Sequence, residues 1–420
     1  MPWSGSHPVR TLRGRLMALT TADALMATQP TTKVTRVLLV HNAYQLRGGE
    51  DAVVEAEFEL LCNRGHAVER FQRHNNELAS VSAASAAIDT IWSRQSVATL
   101  RTTLQRFQPN VVHFHNTFPL ISPAAYWAVR AAGLPVVQTL HNFRLHCPQA
   151  MYLREGKVCQ DCIGKLPWRS VQHGCYRDSR MQSAVLTGML AVHRALGTYR
   201  NKVTRYIALN EFCRRKFIEG GLPAERIVIK PNFVDFVQVP SPVRDGFLFV
   251  GRLSAEKGVA VLIAAWQMLT SGTLRVVGSG PESHLLGDIA RLSALGALSG
   301  QAVQLQMASA TALVLPSICY DSFPRTLVEA FACALPVIAS RLGPLADLVE
   351  EGVTGLLFNP ADALDLAKKM QWAQAHPERM AEMGRNARAK YEAEFSADIN
   401  YTQLIAIYQD AIHAVAEEGG

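Results

Sequence analysis

Two cations in a short loop open the chemistry of this chain. Arg252 and Lys257 lie in Gly251-Arg252-Leu253-Ser254-Ala255-Glu256-Lys257-Gly258, between the apolar run Phe247–Val250 and a helical run starting at Val259. A strand-to-helix loop offers free N–H groups and the positive end of a helix dipole, so it suits an anion. A planar guanidinium and a compact ammonium together suit a diphosphate. The same residues also read as two surface cations on a helix capped by Ser254. A second motif, Val276-Val277-Gly278-Ser279-Gly280-Pro281, ends a strand in glycines that let a ligand's base or ribose approach the backbone. The third runs from Pro316 to Phe331. Asp321 stands in a loop, Pro324 suits the first turn of a helix, and Glu329 follows inside it. Those two carboxylates could reach different parts of a long polar ligand, and the amides of Phe323, Arg325 and Thr326 at the helix start suit phosphate. The rival reading makes Glu329 an i,i+4 partner of Arg325. In register with the cation loop, the ligand reading prevails.

The first half supplies a facing set. Gly48-Gly49-Glu50 opens a helix, and its two glycines permit close approach of a ligand. His113, His115, Asn116 and Thr117 follow a strand and are expected on the cleft side, as are His141-Asn142 after the next strand. Gly48-Gly49 is not a GxGxxG, and no acid follows at the dinucleotide position, which argues against a dehydrogenase. Four of the eight cysteines (Cys147, Cys159, Cys162 and Cys175) follow C-x11-C-x2-C-x12-C in a Gly- and Pro-rich stretch. That spacing can close a tetrahedral thiolate site for structural zinc. Unliganded thiols, disulfides and an iron–sulfur cluster are the alternatives.

The elements that must position these groups alternate. Strands are expected at 34–40, 67–71, 110–114, 135–140, 205–209 and 227–229, then again at 247–250, 273–277, 312–316 and 336–339. Helices are expected between them, at 50–63, 126–132, 181–199, 259–269 and 325–334. This is the parallel, doubly wound α/β pattern, twice, and ligands bind outside the strand C-termini of such sheets. The Pro-containing stretch 237–245 reads as the linker. The domain plan is a disordered leader over 1–32, a first doubly wound domain over 33–238 with a Cys-rich insertion at 146–176, a second over 239–395, and a helix over 396–420 crossing back to the first domain.

Apolar residues make up 49% and charged residues 18%, ample for two packed cores. No run approaches the roughly 20 apolar residues of a membrane span. The net charge of +7 fits anionic partners in general. The first 30 residues lack a secretory signal's apolar core, so a cytoplasmic protein is expected, with an amphipathic contact over Leu12–Leu25 as one route to the inner membrane face.

The combination GRxxxxKG, VGxGP and DxFPxxxxEAxAxxxPVIAS, continued in Gly343–Val349 and Gly352–Phe358, resembles the retaining family 4 glycosyltransferases of GT-B fold. The bacterial members with a CP…GxxCxxC…CY insertion are the nearest in pattern. The resemblance covers about residues 35 to 400. It implies two Rossmann-like domains facing across a cleft and transfer of a sugar from a UDP-, GDP- or ADP-sugar to a glycan or lipid-linked acceptor hydroxyl, with no catalytic metal. By that likeness Arg252 and Lys257 bind the pyrophosphate, Glu329 the ribose, and Asp321, where the family usually has Glu, the sugar. Gly48 and Gly49 lie against the phosphates, and His115 lies near the reacting carbon. The donor set is then Gly48, Gly49, Gly251, Arg252, Lys257, Gly278, Gly280, Phe323, Pro324, Arg325, Thr326 and Glu329. The catalytic set is His115, Asp321, Lys257 and Arg252. A nucleotide-sugar 2-epimerase shares the fold and is the second enzyme class. A zinc-containing nucleic-acid binder is the non-enzyme alternative, opposed by basic residues spread along the chain without interleaved aromatics, so no nucleic-acid partner is expected.

Overall fold

The computed structural model describes residues 36–45, 48–236 and 243–419. The expected leader, the amphipathic stretch 12–25 and most of the expected linker lie outside these residues.

Eight strands belong to the first half: β1 (Arg36–Ala43), β2 (Ala67–His74), β3 (Val111–Asn116), β4 (Val136–Thr139), the short antiparallel pair β5 (Leu153–Arg154) and β6 (Lys157–Val158), β7 (Arg205–Ala208) and β8 (Ile227–Ile229). Six form a parallel sheet in the order β2-β1-β3-β4-β7-β8. The second half builds another from β9 (Phe247–Val250), β10 (Leu274–Val277), β11 (Leu292–Gly296), β12 (Ala312–Leu315), β13 (Val337–Ser340) and β14 (Gly355–Phe358). Its order is β11-β10-β9-β12-β13-β14, also parallel. Both sheets are doubly wound. In β1, every residue after Arg36 is buried, as a parallel strand covered by helices on both faces requires.

Several boundaries differ from the sequence reading. β1 runs on through His41-Asn42 to Ala43, and β3 through Asn116. The expected helix 181–199 ends at Ala195, where Gly197, with φ +65°, turns the chain before Thr198–Asn201. The expected last helix runs Ala397–Gly419 and is preceded by a separate helix, Pro377–Glu394. Helices Ala83–Trp92 and Arg94–Phe107 were not anticipated; each starts at a serine whose hydroxyl accepts an amide, Ser82 from Ser85 and Ser93 from Ser96. Between Gly280 and β11 there is only a short 3₁₀ turn, Pro281–Leu286.

The helix Ala397–Gly419 packs Leu404, Ile407, Tyr408 and Ala411 against Val37, Leu39, Val111, Val137 and Ile207 of the first sheet. Burying a side chain of Leu404's kind contributes about 1.5–3 kcal/mol, so this contact ties the end of the chain to the first domain. Among the described residues, no helix is long and apolar enough to cross a membrane.

Candidate active site

A cavity of about 250 Å³ opens between the carboxyl ends of the two sheets. The first domain contributes Gly49, Glu50, Val53, His141 and Asn142, and the second Lys257, Asp321, Phe323 and Arg325. In the second sheet the strand order reverses between β9 and β12. The loops following those two strands carry Lys257 and Asp321, so the cavity lies at the switch point where such sheets take ligands.

The two loops are locked together by backbone. Ile318 N–H donates to the Glu256 carbonyl at 3.0 Å. Gly258 adopts φ +72°, and a Cβ there would stand 1.9 Å from the Pro316 carbonyl oxygen. Only glycine fits that approach, which holds Lys257 beside the loop after β12. The Lys257 ammonium forms an ion pair with Asp321. Burial alone would lower the Lys257 pKa, but Asp321 outweighs it and raises it. The shorter acid at position 321 therefore reaches the cation loop and the cavity. Ser254 does not cap the following helix: its hydroxyl donates to Glu256 at 2.6 Å, and the helix begins after Gly258.

Other expected donor residues stand apart from this cavity. Arg252 is exposed, and Gly251, Gly278, Gly280, Pro324, Thr326 and Glu329 do not line it. Gly278 and Gly280 have a packing role. A Cβ at Gly278 would stand 1.9 Å from the Gly251 carbonyl oxygen, and one at Gly280 2.3 Å from that of Leu253. They seat β10 against the cation loop. Glu329 pairs with Arg325 at 2.9 Å, as the i,i+4 reading anticipated, and burial raises its carboxyl despite that partner.

On the facing side, Gly49 begins the helix Gly49–Asn63, and an added Cβ there meets nothing within 4 Å. The nearest atoms to a Cβ at Gly48 are Asp51 Oδ2 at 3.7 Å and the Tyr44 ring at 3.9 Å. Glu50 accepts from Tyr44 Oη at 2.9 Å and Asn142 Nδ2 at 2.6 Å. Asp51 accepts from the Gly48 amide at 2.7 Å and contacts His41 Nε2 at 2.8 Å. Burial alone would raise the Asp51 carboxyl, but these hydrogen bonds hold it below the usual carboxylate range. The domains also touch directly. Ser322 Oγ donates to the His141 carbonyl, Asn210 Nδ2 donates to the Ser322 carbonyl at 2.7 Å, and Gln160 Nε2 donates to Tyr320 Oη at 2.8 Å.

The histidines lie deeper than a loop position would put them. Because β3 continues to Asn116, His113 and His115 lie inside the strand, on one face by its period of two. His113 is fully buried and shares hydrogen bonds with Tyr408 Oη at 2.8 Å and Thr139 Oγ1 at 2.7 Å. His115, 3% exposed, does not line this cavity but lines a smaller one with Asn116 and Thr117, and the two cavities share His141 and Asn142. His115 Nδ1 lies 2.9 Å from His141 Nε2, and the rings stack.

Beneath them sits a pair the sequence reading missed. Glu57 and Lys230 are both fully buried, with Lys230 Nζ donating to Glu57 Oε1 at 2.8 Å and to Asn400 Oδ1 at 3.1 Å. Burial pushes the Glu57 carboxyl up, but Lys230 and the neighbouring histidines outweigh it and hold it below the usual range. Its signal was available: Val53, Val54, Glu57, Leu60 and Leu61 form the inward stripe of one helix, and an acid on such a stripe calls for a partner. Glu57, His113 and His115 are the one group of three ligand-type side chains within 4.8 Å of one another among the described residues. The ammonium already on Glu57 and the two engaged nitrogens of His113 oppose a cation there.

The four cysteines are gathered in one knob, where Cys147, Cys175 and Cys159 each raise the Cys162 thiol, pushed up to about 12 mainly by burial. Burial raises the Cys147 thiol as well. No three of the four sulfurs lie within 4.8 Å of one another, so the closed tetrahedron expected from the spacing is not assembled, and all four are free thiols.

Comparison with known proteins places this geometry. Residues 56–238 match the model for Glycosyltransferase Family 4, and residues 244–375 that for Glycosyl transferases group 1. The chain is 31% identical over 159 residues to D-rhamnosyltransferase WbpZ of Pseudomonas aeruginosa, covering 36% of this chain and 42% of that protein. It is 32% identical over 178 residues to a GDP-mannose-dependent alpha-mannosyltransferase of Corynebacterium glutamicum, covering 41% of each. The chain thus spans less than half the length of these curated relatives. In fold it is similar to HepE of Anabaena, solved in complex with UDP, with a TM-score of 0.62 at 19% identity over 88% of this chain and 98% of that one. Each half of the chain thus matches a glycosyltransferase model, and the two doubly wound sheets are arranged in the GT-B fold.

Proposed function

We propose that the protein transfers a sugar, with retention of configuration, from a nucleoside-diphosphate donor to an acceptor hydroxyl. The observation that carries this reading is the single cavity in which the Lys257–Asp321 pair faces Gly49 and Glu50 across the ends of both sheets. Lys257 and the amides at the start of the helix Arg325–Ala332 stabilise the negative charge that develops on the leaving diphosphate. Arg252, exposed in the same loop, reaches that diphosphate from the solvent side. Gly48 and Gly49 let the phosphates approach the helix start. Asp321 orients the sugar, and Glu329 holds the ribose once the donor draws Arg325 toward phosphate. The acceptor oxygen attacks the anomeric carbon on the face the diphosphate leaves, and the departing phosphate oxygen takes the acceptor's proton.

The HepE complex with UDP-glucose makes a UDP-sugar the first donor to test. A glycan or lipid-linked glycan in cell-surface assembly is the proposed acceptor, with the enzyme cytoplasmic and resting on the inner membrane face through its net charge of +7. Incubation with UDP-, GDP- and ADP-sugars tests the reading. One donor is expected to release its nucleoside diphosphate and yield a glycoside of unchanged anomeric configuration. Inversion at C2 of the donor sugar, with no transfer, would replace it with the epimerase.

The cysteine knob is proposed to hold structural zinc. Four thiols at C-x11-C-x2-C-x12-C spacing in one knob support that reading. About one zinc per freshly purified chain is expected from a closed four-ligand site; a metal-free, folded protein would discard it.

A further inference from the structure

The buried network under the cleft has two orphans. Glu57 Oε2 and His115 Nε2 are both buried without a conventional hydrogen-bond partner, and they lie 3.4 Å apart. Buried polar atoms of this kind seek a partner. His113, 3.6 Å from the same oxygen, already uses both nitrogens on Tyr408 and Thr139. Lys230 occupies the other oxygen of Glu57. The partner left for Oε2 is therefore His115.

This ordering fixes protons further along. A carboxylate oxygen can only accept, so His115 Nε2 must carry the hydrogen. A neutral imidazole has one N–H, so His115 Nδ1 is left as an acceptor. It faces His141 Nε2 at 2.9 Å, so that nitrogen must donate. His141 then keeps its lone pair on Nδ1. His141 lines the cavity beside Asp321, Ser322 and Asn142.

We propose that Glu57, paired with Lys230, is a positioning residue that sets the tautomers of His115 and His141, so that His141 presents Nδ1 to the cleft as an acceptor for a hydroxyl of the transferred sugar. The proposal rests on the glycosyltransferase reading for the identity of that sugar. The chain Lys230–Glu57–His115–His141 starts where β8 passes into the linker and is held from outside by Asn400 of the last helix. The other charged or titratable groups around it are His113, His41, Glu50 and Tyr408. Glu57→Gln should reverse the relay. The amide oxygen of that glutamine would accept from Lys230 and turn its NH₂ toward His115, which must then accept at Nε2 and donate at Nδ1. His141 would accept at Nε2 and offer an N–H to the sugar hydroxyl instead of a lone pair.

The test begins with the parent protein and ¹⁵N-labelled histidine. NMR should show His115 and His141, identified by their His→Gln variants, both protonated at Nε2 and bare at Nδ1. A bare Nε2 on either ring overturns the proposal without any need for activity. In folded Glu57→Gln the two signals should exchange tautomer, kcat should fall at least tenfold, and UDP alone should bind as in the parent; unchanged tautomers would also overturn it. If Glu57→Gln does not fold, the parent spectrum decides, together with His141→Asn, whose amide oxygen can replace Nδ1 and should keep more turnover than His141→Ala. Equal turnover of those two variants counts against the role. Failure of the parent to bind any nucleoside diphosphate would instead strike the glycosyltransferase reading and leave the tautomer result standing.

Discussion

Substitution of Gly49 should separate folding from function with opposite signs. Its Cα opens on the cavity, and a methyl group added there meets no atom within 4 Å. Gly49 begins the helix Gly49–Asn63, so alanine should leave stability unchanged or raise it by up to about 1 kcal/mol through helix propensity. The same methyl would project into the space assigned to the donor phosphates. Displacing a reacting group by about 1 Å can cost on the order of 10²-fold in rate, so Gly49→Ala should lower kcat/KM by that order, and the bulkier Gly49→Val by more. Thermal unfolding and steady-state kinetics on the same preparations make the comparison. Gly258→Ala serves as the control, because its φ of +72° and its 1.9 Å approach to the Pro316 carbonyl make that glycine a folding requirement. Its loss should appear as reduced stability of about 1–3 kcal/mol or more. Kinetics of Gly49→Val indistinguishable from the parent would refute the placement of the phosphates against the helix start.

Two further outcomes follow from the charges. Lys257→Met should reduce kcat about 10²–10³-fold, the usual loss of one preorganised donor. Because the Lys257–Asp321 pair is partly exposed, its effect on stability should stay within about 1 kcal/mol; a folded variant with normal turnover would remove Lys257 from the site. Stability should also fall on mild acidification. Burial lowers the pKa of His113, His115, His141, His146 and His193, with His146 at about 3. These rings stay neutral in the native state while the unfolded chain takes up protons below about pH 6.5. Each can therefore remove up to about 1.4 kcal/mol per pH unit below that value. The depressed carboxyls of Asp51 and Glu57 act only below about pH 4, where their stabilisation is lost as they protonate. Urea midpoints at pH 7 and pH 5.5 measure the histidine contribution, and equal midpoints would contradict their buried, neutral state.

The doubly wound pattern was legible because parallel strands are short continuous apolar runs, as in Phe247–Val250 and Ala312–Leu315, set between helical spacings. The cation loop and Asp321 were legible because one short loop after each strand carries them. The helices Ala83–Trp92 and Arg94–Phe107 escaped because their starting signals are serines inside a polar stretch, with little apolar periodicity before Ile88. The packing of Gly278 and Gly280 against the Gly251 and Leu253 carbonyls was not legible, because glycine suits ligand approach and backbone packing alike. The depth of the histidines was not legible, because it turns on two residues of strand length: with β3 ending at Asn116, His115 joins the network under Glu57 and contacts His141, which lines the cavity. Glu57 stood out as an acid on the inward stripe of its helix, but Lys230 lies far off in sequence, so no local spacing names it as the partner. The closed cysteine site was expected from spacing alone, and spacing does not set side-chain rotamers.

Calorimetric titration of UDP, GDP and ADP, and of their sugars, into the parent protein and Lys257→Met tests the central claim most directly. The account predicts that one base binds the parent and that Lys257→Met, still folded, loses about 1.5–3 kcal/mol of that affinity, the worth of a hydrogen bond to a charged group. Binding of equal strength to both proteins, or of no nucleotide to the parent, would contradict it.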